Sequence, residues 1–130
     1  MTIDVNNLLA NALLDRLDTE MPAGSILELR TGGPAGAENA AGGSLLCSIT
    51  LPSTPWSAAS GGTKAKNGTW SGTGSAGGNA GHYRLRNAAG TRIIEGTVTL
   101  AGGGGDAIIS TLAITNGGPV SVTSFSYSQP

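Results

Sequence analysis

The chain reads as a mainly β protein: an antiparallel β-sandwich, jelly-roll or Ig-like, of about seven strands behind an N-terminal α-helical arm. Three observations predict this. From residue 25 onward, apolar residues recur with period two in short runs. Clusters of Gly, Pro, Asn and Ser separate those runs. One stretch near the start instead carries apolar residues at helical spacing. The division that follows is a helical arm over 1–22 and a β-sandwich domain over 23–130.

The arm is the only convincing helix, over 4–20. Val5, Leu8, Leu9, Ala12, Leu13 and Leu17 recur at three- and four-residue steps, which sets them on one stripe. Asp4 is placed to cap its start, where a negative charge also suits the helix dipole. Asp15, Arg16 and Asp18 lie toward the other side, and Pro22 and Gly24 end it. A helix this short is marginal alone. Its stripe must bury against the chain's own β-domain or against a neighbouring subunit.

The strands follow at 25–31, 44–51, 63–70 (weak), 82–87, 91–100, 107–114 and 120–127. In the first, Leu27 and Leu29 oppose Glu28 and Arg30. In the second, Leu45, Cys47, Ile49 and Leu51 share a face. The separators at 32–34, 42–43, 61–62, 71–81, 87–90, 102–106 and 116–119 are rich in residues that accept positive φ or pre-set a turn. The clearest hairpin is 83–100, turning at Gly90.

Composition narrows the function classes. Only 12% of residues are charged and 22 are glycine, yet the net charge is −1 and apolar runs recur, which is the profile of a folded chain. A near-zero charge gives no general attraction to nucleic acid or to an anionic membrane. No apolar stretch approaches the roughly 20 residues of a membrane helix, and the first residues lack the basic start of a secretory signal. The expectation is assembly in a reducing cytosol. Cys47 is the only cysteine and reads as a small buried hydrophobe.

Charge is unevenly distributed along the chain. Every charged residue from 39 to 94 is basic: Lys64, Lys66, Arg84, Arg86 and Arg92. Acids gather at the front, at Asp4, Asp15, Asp18, Glu20, Glu28 and Glu38, and residues 107–130 carry no charge. Uncharged terminal strands are an aggregation hazard on an open edge, so they are expected to be central or covered by another copy. The candidate interface residues are therefore Leu8, Leu9 and Leu13 on the arm, with Lys64, Lys66, Arg84, Arg86 and Arg92.

Chemistry-bearing motifs are weak. Gly72-Thr73-Gly74-Ser75-Ala76-Gly77 spells a dinucleotide fingerprint, but Gly78-Asn79-Ala80-Gly81 after it does not open a helix. Gly102–Asp106 reads as a hairpin loop. A single histidine, His82, and a single cysteine provide neither a zinc site nor a nucleophile elbow. Trp56, Trp70, Tyr83 and Tyr127 are read as core and strand-pair residues before a sugar-stacking platform. No catalytic residue, cofactor or metal is assigned, and no enzyme activity is expected.

The strand-and-loop phrasing of Leu45 to Trp56, the segment from His82 to Gly96 and the ending Val120-Ser121-Val122-Thr123-Ser124-Phe125 resembles small structural proteins of tailed bacteriophages and prophages. The likeness covers about residues 25–127. It implies a virion protein, first a capsid decoration or cement protein that self-associates and binds the major capsid protein. A tail or tail-tip component comes next. The alternative from another class is a carbohydrate-binding module for host surface glycans. The implied location is the virion, assembled in the bacterial cytoplasm.

Overall fold

A computed structural model describes residues 6–104 and 107–128. The arm forms α1 (Asn7–Asp15) and a short α2 (Leu17–Glu20). Asp4 and Val5 lie outside the described residues. The described cap is Asn6, whose side-chain oxygen accepts from the Leu9 N–H at 3.0 Å.

Among the described residues ten strands follow: β1 (Ile26–Arg30), β2 (Leu45–Thr50), β3 (Thr63–Ala65), β4 (Trp70–Thr73), β5 (Gly78–Asn79), β6 (His82–Arg86), β7 (Ile93–Thr99), β8 (Ala107–Ile109), β9 (Ala113–Ile114) and β10 (Pro119–Ser128). The protein is thus mainly β with a short N-terminal helix. Of the expected strand over 63–70 only β3 forms at its start, while β4 begins at its last residue and, with β5, occupies the stretch 71–81 expected to be a separator; the expected strand over 107–114 is two, β8 and β9.

One eight-stranded sheet runs β2-β1-β6-β7-β8-β10-β3, with β4 also on β10, and β5–β9 forms a separate pair. The expected β6–β7 hairpin is present and antiparallel. The sheet differs from the antiparallel expectation at one pairing, because β7 and β8 run parallel through Val98↔Ala107 and Thr99↔Ile108. A parallel pair is not joined by a hairpin, so the hairpin loop expected between them is corrected to a crossover connection. It is shorter than the dozen or so residues such crossovers need. Gly102 (φ +84°) and Gly104 (φ +82°) let the chain turn back that sharply.

The sheet also curls until its ends meet. Cys47 of β2 forms an isolated antiparallel bridge with Gly74, just beyond β4, and the Ser75 N–H donates to the Leu46 carbonyl at 2.8 Å. A Cβ on Gly74 would collide with the Thr115 carbonyl oxygen, so the strand can run there only without a side chain. The uncharged β10 is paired on both sides, to β4 through Val120↔Gly72 and to β8 through Val122↔Ile109. It is central, which removes the edge hazard.

Inside the curl lies one core. Leu27, Leu29, Ile49, Leu85, Ile109, Val120 and Val122 are buried around four aromatics. Phe125 is the hub: its ring centroid lies 5.6 Å from Trp56, 5.4 Å from Trp70 and 5.1 Å from Tyr83. The outer face of β1 and β6 is buried as well. Loop 32–43 folds over it, so Glu28, His82 and Arg84 are enclosed where alternation alone predicts exposed polar residues.

Candidate interaction surface

The helical arm docks on its own chain. Ala10 and Leu14 are buried. Asn11 Oδ1 accepts from the Gly62 N–H at 3.0 Å, and Asp15 Oδ1 from the Ala59 N–H at 2.9 Å. Lys64 of β3 is fully enclosed, and its ammonium reaches Asp15 at 2.6 Å and Asp18 at 3.1 Å. The hydrogen bond from Lys64, then that from Ala59, holds the Asp15 carboxyl below its ordinary range. Arg92, then Arg16, does the same for Glu20, tying α2 to the end of the β6–β7 turn.

The docked side is not the stripe expected to bury. α1 is apolar around most of its circumference. Its Ala10–Leu14 side, flanked by Asn11 and Asp15, meets the sheet, while Leu8, Leu9 and Leu13 face outward. Leu8 is 81% exposed, Leu9 49% and Leu13 50%. Apart from Leu100, these are the exposed large apolar residues among those described.

The structure keeps the expected apolar interface residues together and disperses the basic ones. Arg84 is buried: its Nε donates to Glu95 Oε2 at 2.6 Å, and its Nη2 to the carbonyls of Gly36 and Asn39. Glu95 also accepts from the Gly36 N–H at 2.8 Å, so this ion pair clamps loop 32–43. Arg86 and Arg30 both donate to Glu28. Burial pushes the Glu28 carboxyl up, and these two arginines outweigh it to leave the net shift downward. Arg92 pairs with Glu20, and Lys66 donates to the Gly68 carbonyl at 2.8 Å. Lys64 and Arg84, being enclosed, present no charge outward. Sequence reasoning missed the roles of Asn11, Asp15 and Asp18. Their signal was the spacing of three polar side chains along one helix flank opposite a lone strand lysine.

The cysteine and the histidine are both enclosed. Cys47 is buried, burial raises its thiol pKa, and its sulfur donates to the Thr73 carbonyl at 3.5 Å. His82 Nδ1 lies 2.9 Å from the Gly32 carbonyl. A carbonyl only accepts, so Nδ1 carries the hydrogen, and the enclosed Nε2 has no hydrogen-bond partner among the described residues. Among those residues no three His, Cys, Asp or Glu side chains gather as metal ligands. No described helix is long and apolar enough to cross a membrane. A cleft of about 370 Å³ is lined by Asp18, Pro22, Ser53, Thr54, Pro55 and Trp56. Trp56 is only 4% exposed and its Nε1 donates to the Met21 carbonyl, so it offers no stacking face there. Trp70 is wholly buried. Comparison of the chain with protein-family models, curated proteins and solved structures finds no match.

Proposed function

We propose that this protein is a non-catalytic structural subunit of a tailed-phage virion, in the first place a capsid decoration protein that contacts the major capsid protein and its own copies. The observation that carries the reading is the outward leucine face of a helix already docked in cis. A contiguous exposed apolar patch rimmed by polar residues marks an interaction site. The phage setting rests on the resemblance of strand phrasing over residues 25–127. We read the curled sheet as sandwich-like, with β1, β2, β6 and β7 facing β4, β8 and β10 across the Tyr83–Phe125 contact. A tail component remains the second assignment within the same class. The glycan-binding alternative loses support, because Trp56 and Trp70 belong to the core.

The test is the amount of protein in purified particles and its binding to particles lacking it. A copy number near that of the major capsid protein is the expected result, and a few copies per particle would move the assignment to the tail. Leu9→Asp should abolish binding. Because Lys64, Arg84, Arg86 and Arg92 are engaged within the chain, binding should change little from low to high salt. Collapse in moderate salt would show that charge, not the leucine face, drives the contact.

A further inference from the structure

The leucine face of α1 has a shape that matches itself. Leu8, Leu9, Ala12 and Leu13 occupy two adjacent turns, and all four are exposed. If a second α1 lies antiparallel across this face, Leu8 meets Leu13 and Leu9 meets the small Ala12. Each large side chain then opposes a partner it can pack against, and the same register serves both copies. That is the requirement of a two-fold contact. The dipoles agree with this orientation. α1 has no acid in its first turn and no base in its last, so its ends are not offset by their own turn residues. Antiparallel packing sets the positive start of one helix beside the negative end of the other, whereas parallel packing opposes like ends.

We propose that the occupant of this face is a second copy of the chain, bound through antiparallel α1 helices in a contact too weak to hold free molecules together. The proposal rests on the reading of this face as the interface. The weakness follows from area. A leucine side chain carries roughly 60–120 Å² of apolar surface by transfer-energy scaling. Three partly exposed leucines thus give at most a few hundred Å² per copy, and stable interfaces bury about 1,200–2,000 Å² in total. Between free molecules the contact forms only transiently, and it persists when copies are held side by side on a lattice. There, effective concentration strengthens a weak contact by about 10²–10⁴-fold.

Cys47 is enclosed and its thiol pKa is raised, so cysteines placed on α1 can be cross-linked selectively. Full-length Leu8→Cys and Leu13→Cys, distinguished by mass, are mixed under mild oxidation, with Ser57→Cys on an exposed loop as the random-collision control. The expected result is faster cross-linking than the control and an excess of mixed 8–13 dimers over the sum of like dimers. Like dimers in excess would overturn the antiparallel register. Rates equal to those of Ser57→Cys would overturn the second copy as occupant, and if Leu9→Asp still fails to bind particles, another virion protein covers the face and the functional reading survives. A stable dimer at micromolar concentration by sedimentation would overturn the area argument.

Discussion

A lysine ammonium with no solvent exposure is stable only where carboxylates reach it, and Asp15 and Asp18 do so from the helix. Because both acids are about half exposed, this is a latch at the margin of the core. Asp15 is held below its ordinary value of 3.8 in the folded chain. On acidification the unfolded chain therefore takes up this proton first. The stabilisation is complete above that value and is lost as pH falls through the lower folded one. Urea titrations from pH 7 to pH 3 should show wild type and Asp15→Asn converging at the acid end, with Asp15→Asn less stable at neutral pH. An unchanged gap at pH 3 would show that the Lys64–Asp15 bond is not what the substitution removes. Phe125 is the opposite case, since its ring holds three aromatic neighbours and no charge. Phe125→Ala should cost about 3–5 kcal/mol by denaturant unfolding, and a loss under 1 kcal/mol would mean the cluster collapses into the gap.

At the scale of elements, the arm decides whether α1 is a detachable tether or a piece of the domain. Its contacts from Asn11, Asp15 and Asp18 leave Gly62, Ala59 and Lys64 unsatisfied if it is removed. Deleting residues 1–22 should therefore lower the unfolding midpoint of the β-domain. A truncated chain with an unchanged midpoint would show that the arm contributes only to assembly. The sequence showed that a helix exists and where it ends, but not which side faces in. With Leu8, Leu9, Ala10, Ala12, Leu13, Leu14 and Leu17 spread around the axis, periodicity permits two stripes, and the polar partners that choose between them lie some 50 residues away. Strands β1, β2, β6, β7 and β10 were legible because each alternates or is bounded by turn residues. β4, β5 and β9 were not, because Gly72 and Gly78 serve close strand approach and read locally as loop. The parallel β7–β8 pair was hidden for a related reason: a glycine run reads as a turn whichever way the next strand departs.

Over the whole molecule, charge is largely spent inward. Arg30, Lys64, Arg84, Arg86 and Arg92 each engage a carboxylate of the same chain. What faces outward is mostly Gly, Ala, Ser, Thr and Asn, interrupted by one leucine face. Such a surface steers no partner from a distance, and recognition depends on contact. Closure of the sheet has a further consequence. The β2–β4 seam is held by one isolated β-bridge, Cys47↔Gly74, with hydrogen bonds from Ser75 to Leu46 and from Cys47 to Thr73 beside it, whereas β1, β6 and β7 are joined by full ladders. We expect the ring to open first along this seam, and the chain's only cysteine lies on it. Labelling by a thiol reagent then works as a clock for local opening, independent of global unfolding. Gly74→Ala, which crowds the Thr115 carbonyl, should speed that clock well beyond its effect on the unfolding midpoint. If labelling instead keeps step with global unfolding in both proteins, the ring opens only as a whole.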